Sequence, residues 1–199
     1  MVRHDRLPRR EVLRLGLAAP LVACGSSWAG SERTFRSPRP DAVDLPPDKW
    51  REALTADEFH VLREAGTERA FSGDLDGHHG DGVYICAGCG LPLFDSATKF
   101  DSGTGWPSYF QPIARDAVAS VSDTAYGMVR TESVCNRCGG HLGHVFEDGP
   151  KPTGLRYCTN SASLDFVPRA ELSKIGDPPP VRLGGWPAPS AVDGKGGAR

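Results

Sequence analysis

Cys158 lies in the run Gly154-Leu155-Arg156-Tyr157-Cys158-Thr159-Asn160-Ser161, a setting in which a thiol could act as a nucleophile. Arg156 is two residues upstream, so on a strand the two side chains share a face. A cation at that distance raises the thiolate fraction. Two further segments carry groups of the right kind. His141-Leu142-Gly143-His144-Val145-Phe146 offers two imidazoles at i and i+3. Lys99 to Ser108 is a glycine-rich loop that presents Trp106, a ring costly to expose and suited to gripping an apolar group. Each piece also has a plainer reading. A single cysteine in a β domain is often buried filler. The histidines could be surface residues or two ligands of a second metal, and the tryptophan a lid on the core. Their combination in one chain favours chemistry.

The other cysteines pattern differently. Cys86-Ala-Gly-Cys89-Gly90 and Cys135-Asn-Arg-Cys138-Gly139 are two knuckles. A two-residue spacer lets both thiolates face one ion, and the glycine after each pair eases a tight turn. Four thiolates close a tetrahedral Zn²⁺ shell and leave no position open to substrate, so Cys86, Cys89, Cys135 and Cys138 are expected to hold a structural zinc. Two disulfides are the alternative. A zinc ribbon can also serve as a protein- or nucleic-acid-binding module. No basic stripe accompanies this one, and the net charge is −2, so no nucleic-acid partner is expected.

What must position these groups is modest in size. The 199 residues, 39% of them hydrophobic, suffice for one domain with a core. Glycine (24) and proline (17) point to a loop-rich, mostly β domain. Thr55-Ala-Asp-Glu58 reads as a capping box opening a short helix through Phe59, Val61 and Leu62 to about Gly66. Val83–Ile85, Met128–Val134, Val145–Phe146 and Leu164–Val167 read as strands between turn residues. Residues 30–47 lack periodicity and read as a linker. The stretch after residue 170 turns Pro/Gly-rich and reads as a disordered tail over 171–199, loosest from Gly176.

The first 29 residues read as an address. Arg9-Arg10 precede a short uncharged stretch, Leu15 to Cys24, too short to span a bilayer as a helix. The pair suggests a twin-arginine signal, which exports folded cargo to the periplasm or cell envelope. Two processing routes stay open: cleavage after Ala29, or lipidation at Cys24, since Leu21-Val22-Ala23-Cys24 resembles a lipobox.

Residues 48–170 resemble the methionine-R-sulfoxide reductase family. The matching stretches include Leu62-Arg63-Glu64, Gly66-Thr67-Glu68, Tyr84 to Gly90, Leu93 to Ser96, Lys99 to Ser108, both knuckles, His141 to Phe146, Asp148-Gly149-Pro150 and Gly154 to Phe166. The resemblance implies a mainly β fold of two antiparallel sheets, a β-tent, with short N-terminal helices and a four-cysteine zinc site. It implies Cys158 as nucleophile and Trp106 as the residue holding the sulfoxide methyl. His141, His144 and Asn160 would organise hydrogen bonds around the substrate oxygen, and Arg156 would support the thiolate. The implied activity is reduction of methionine-R-sulfoxide in oxidised proteins or peptides through a sulfenic acid, a form of protein repair. One departure stands out. Many relatives carry a resolving cysteine in the glycine loop, where this chain has Thr104. Reduction would then fall to an external thiol, to a thioredoxin-like protein, or to Cys24 if it survives processing without a lipid. A monomer is the default. A non-catalytic relative that cages a ligand with aromatics is the competing reading, but Trp28 lies in the signal and Trp186 in the tail.

Overall fold

The computed structural model describes residues 35–124, 127 and 129–174. The twin-arginine segment, Cys24, Met128 and residues 175–199 of the expected tail lie outside the described residues. Arg169–Lys174, by contrast, form a short 3-10 helix with Leu172 packed against Val83, Ile85 and Val167, so the start of that tail is ordered.

Two helices open the domain. Helix α1 (Pro47–Ala53) starts on a proline at its first position, where the missing N–H costs nothing. Four of its residues are charged and Trp50 alone is buried, which is why no apolar periodicity announces it. Helix α2 (Ala56–Glu64) carries the expected capping box: Thr55 accepts from the Glu58 amide, and the Glu58 carboxylate accepts from the Thr55 amide. Phe59, Val61 and Leu62 are its buried face. It ends at Ala65 in the left-handed region (φ 58°).

Nine strands follow among the described residues, in two antiparallel sheets as expected. β1 (Gly82–Cys86) is the middle of a three-stranded sheet, between β2 (Pro92–Asp95) and β9 (Leu164–Pro168). All five β1 residues are buried, so the strand reads as an unbroken apolar run. The larger sheet has the order β3 (Lys99–Phe100), β4 (Ser108–Tyr109), β8 (Arg156–Thr159), β7 (His141–Phe146), β6 (Arg130–Cys135), β5 (Val118–Asp123). β7 is longer than the expected Val145–Phe146, because the histidine segment itself is its first half. The sheets share one core of Trp50, Leu62, Tyr84, Phe94, Tyr109 and Leu142. Phe94 stacks on Tyr109 with ring centroids 4.2 Å apart. Each such side chain contributes about 1.5–3 kcal/mol by leaving water.

Residues 35–46 form no helix or strand, yet they are docked rather than loose. The Ser37 hydroxyl donates to the Asn136 carbonyl, and the Val43 amide donates to the Arg137 carbonyl at 2.9 Å. Arg137 in turn donates to the Asp41 carbonyl at 3.1 Å and to the Cys89 carbonyl at 2.8 Å. This strap binds the second knuckle mainly through polar contacts, which leave no hydrophobic pattern in the sequence.

Candidate active site

The four knuckle cysteines converge from the ends of β1 and β6 and the turns that follow them. They are buried, and their sulfurs lie within 4.8 Å of one another. Cys86 and Cys138 sulfurs are 3.7 Å apart, and those of Cys89 and Cys135 are 3.5 Å apart. A disulfide needs about 2.05 Å. A tetrahedral ion with metal–sulfur bonds of about 2.3 Å sets sulfurs about 3.8 Å apart, so the donor set fits one metal ion. All five described cysteines are unbridged. Gly90 (φ 76°) and Gly139 (φ 67°) both sit in the left-handed region, where the tight turns after the second cysteines need glycine. No third ligand joins His141 and His144 in a metal-binding group among the described residues.

Cys158 sits in the middle of the larger sheet. Its register partners are Ser108 on β4 and His144 on β7. The strands approach so closely here that a Cβ on Gly143 would collide with the Cys158 carbonyl, which explains the glycine between the histidines. Burial pushes the Cys158 thiol up, opposed by the charge of Arg156 and by hydrogen bonds from Thr104, Arg156 and Ser108. Arg156 does share the face of Cys158, and it is itself fixed. Its Nε and Nη2 donate to the two Asp148 carboxylate oxygens at 2.8 and 2.9 Å, and its guanidinium stacks on the Phe146 ring at 4.4 Å.

The histidines are held from β5 and β6. His141 Nδ1 lies 2.6 Å from a Glu132 carboxylate oxygen. His144 Nε2 lies 2.8 Å from Asp123, which also accepts from Arg130 at 2.7 Å. The two imidazoles stand edge-to-face, 5.5 Å between centroids. Both carboxylates come from strands with no local sequence signal that would mark them; only the pairing of β5, β6 and β7 brings them to the histidines.

Trp106 is half-buried, and its indole N–H donates to the Glu68 carbonyl at 3.1 Å. Asn160 is 3% exposed, and both ends of its side chain already make a hydrogen bond. Its amide donates to the Leu142 carbonyl at 2.9 Å and accepts from the Glu68 N–H at 3.0 Å. Asn160, expected to help organise the substrate oxygen, thus also braces β7 against the Glu68 loop. Glu68 is the residue the sequence reading undervalued. Its carboxylate accepts from the Ser161 and Ala162 amides at 2.6 and 2.9 Å, while its backbone serves both Trp106 and Asn160. Its place in Gly66-Thr67-Glu68 was visible; its role was not, because it acts through tertiary contacts.

The site thus has a thiol, a fixed cation, two braced imidazoles and an aromatic wall within one sheet and one loop. Residues 54–168 match the SelR domain. A peptide methionine sulfoxide reductase MsrB of Thiobacillus denitrificans is 59% identical over 121 residues, 61% of this chain and 92% of that protein. The MsrB of Saccharophagus degradans is 61% identical over 117 residues, 59% of this chain and 87% of its own. That of Methanosarcina barkeri is 56% identical over 130 residues, 65% and 92% respectively. With more than half its length in the SelR domain and such identity to MsrB proteins, the chain belongs to the MsrB family of methionine sulfoxide reductases.

Proposed function

We propose that Cys158 is the nucleophile with which this enzyme reduces methionine-R-sulfoxide. The observation that carries the assignment is the register that sets Cys158 across from His144, with Arg156 on its own face. The Cys158 sulfur attacks the sulfoxide sulfur, and the sulfoxide oxygen gains a proton as its bond polarises. His144, reached by the Asp123 carboxylate, is placed to supply or relay that proton. In the net step the oxygen passes from methionine to cysteine. The methionine sulfur gains two electrons, the Cys158 sulfur loses two, and the thiol proton ends on the sulfenic acid. Trp106 holds the methyl, which leaves one epimer able to aim its oxygen at the donors. Asn160 and His141 position rather than touch the substrate. Cys86, Cys89, Cys135 and Cys138 would hold Zn²⁺, whose work would be to fix the fold.

An external thiol, a thioredoxin-like protein in the cell, completes the cycle. Two such thiols return Cys158 to the reduced state and release water and a disulfide. Export by the twin-arginine segment would place this enzyme in the periplasm or envelope, with Cys24 as a lipid anchor if it is modified. Thr104 stands at the loop position where many relatives carry the resolving cysteine, so Thr104→Cys should form a disulfide after one turnover, read as a loss of two hydrogens.

The direct test uses a peptide carrying separated R and S sulfoxides with dithiothreitol, followed by mass spectrometry. Loss of oxygen from the R epimer alone, abolished by Cys158→Ser, is the expected result. Turnover that survives Cys158→Ser would remove Cys158 from the nucleophile's role.

A further inference from the structure

Phe71 is 71% exposed and takes a positive φ of 64°, two properties that a phenylalanine rarely combines. It stands third in a turn closed by Ser72, whose amide and hydroxyl both donate to the Arg69 carbonyl, at 3.2 and 2.6 Å. A positive φ at that place in a turn favours glycine or asparagine. A bulky ring kept against that preference, and left in water, points to a use outside the turn.

The position of the ring shows what it could serve. The Phe71 amide donates to the Gly105 carbonyl at 2.8 Å. A Cβ built on Gly105 would lie 2.7 Å from Phe71 Cδ2 and 2.8 Å from Cε2, so the ring rests on the Gly105 backbone. The next residue is Trp106, whose indole N–H donates to the carbonyl of Glu68, three residues before Phe71. Residues 68–71 and 105–106 are thus bonded at both ends, and one seam holds both rings. Beyond the turn, Gly73 packs so closely on Ser161 that a Cβ there would lie 2.2 Å from its Oγ. The segment that carries Phe71 is therefore fixed before substrate arrives, and most of the residue's surface stays open beside Trp106.

We propose that Phe71 is a specificity-determining residue, its exposed ring a shelf for an apolar side chain that flanks the oxidised methionine in a polypeptide substrate. The proposal rests on Trp106 holding the sulfoxide methyl. Adjacent Cα atoms are about 3.8 Å apart, and an extended peptide advances about 3.3 Å per residue. With the methyl at Trp106, substrate side chains one or two places away therefore reach the ring over Gly105. An aliphatic neighbour covers the ring and leaves water with it. Glycine leaves the ring wet, and free methionine sulfoxide has no neighbour to place there.

The experiment compares the full chain with Phe71→Asn and Phe71→Leu. Asparagine suits the positive φ and removes the ring, whereas leucine keeps an apolar surface. The substrates are two peptides with one central methionine-R-sulfoxide, flanked on both sides by leucine or by glycine, with dithiothreitol as reductant. The readout is kcat/KM for the leucine peptide divided by kcat/KM for the glycine peptide. Any loss of folded enzyme cancels in that ratio. Phe71→Asn should lower it about tenfold, the worth of partly burying one apolar side chain, chiefly through KM. Phe71→Leu should retain most of it. A ratio unchanged in Phe71→Asn would overturn the proposal, and a lower molecular mass in solution alongside it would assign the ring to a contact between copies. An equal fall on both peptides would overturn it too, since the ring would then serve the methyl pocket rather than the flank. Trp106→Ala should weaken both peptides alike. If it weakened neither, the methyl-holding reading would fail whatever the Phe71 ratio showed, which keeps the two failures apart.

Discussion

Arg156 is the residue whose energetics decide how Cys158 behaves. A buried thiol ionises reluctantly, and the raised thiol here follows first from burial. Arg156 works against that, and its bidentate pair with Asp148 keeps it in place. The same pair holds the Asp148 carboxyl below the usual carboxylate range, so the clamp stays charged through neutral and mildly acidic pH. The sign of the pH effect follows. Below the raised thiol pKa the thiolate fraction climbs about tenfold per pH unit, so iodoacetamide labelling of Cys158 in the free enzyme should rise steadily from pH 7 to 9 without a plateau. Arg156→Met should slow labelling at pH 8 by about tenfold, because a charge-assisted interaction is lost while the stem is kept. A plateau near pH 7, or an Arg156→Met profile identical to wild type, would contradict this account. Asn160 makes a different kind of prediction. Asn160→Ala leaves the Leu142 carbonyl and the Glu68 amide without their side-chain partner, and an orphaned buried group costs about 1–3 kcal/mol. The variant should melt measurably lower as well as turn over more slowly. Slow turnover with an unchanged melting point would restore Asn160 to direct contact with substrate.

Elements matter here chiefly through the loop around Glu68, which has no regular structure and ties three parts of the site together. Its carboxylate caps the first amides of the turn at Ser161–Ser163, directly after β8. Its backbone holds the Trp106 indole. Glu68→Ala should loosen both, and if Trp106 holds the methyl as proposed, its signature should be a larger loss in KM than in kcat for the R-sulfoxide peptide, since the ring drifts while the sulfur stays. A pure kcat effect would mean that the ring is fixed by other contacts. What was legible at this scale depended on burial pattern. The α2 capping box and the apolar runs of β1 and β9 speak for themselves, as do the two knuckles, whose glycines mark the turns. β5 (Val-Ala-Ser-Val-Ser-Asp) is an edge strand, half exposed, with small and polar residues, and nothing local separates it from a loop. It exists through pairing with β6 along six residues, and that pairing delivers Asp123 to His144. Cys158, Arg156 and the histidines were legible as types and spacing. Asp123, Glu132 and Glu68 were not, because carboxylates on a surface look alike until the sheet closes.

Across the whole molecule, the metal site is the point where otherwise separate parts meet. β1 ends at Cys86 in the smaller sheet, and β6 ends at Cys135 in the larger, so an ion held by the four cysteines would tie the two sheets together. The strap at residues 35–46 docks on the same knuckle, and Arg137 links Asp41 to the Cys89 carbonyl across it. Four buried thiols so close together are costly without a cation, whereas a structural zinc contributes about 10–16 kcal/mol in small domains. That matches or exceeds the whole stability of a typical domain, about 5–15 kcal/mol. Removing one ligand should therefore unfold the domain rather than merely lower its activity. Cys135→Ser should lose its metal and its cooperative melting transition. Cys158→Ser, expected to be inert as a reductase, should keep one zinc per chain by elemental analysis and melt with the wild type. Those two variants separate the fold-holding cysteines from the reacting one by opposite outcomes. If Cys135→Ser kept a sharp transition near the wild-type temperature with no metal bound, the two sheets would be held by the apolar core alone and the ion would be dispensable.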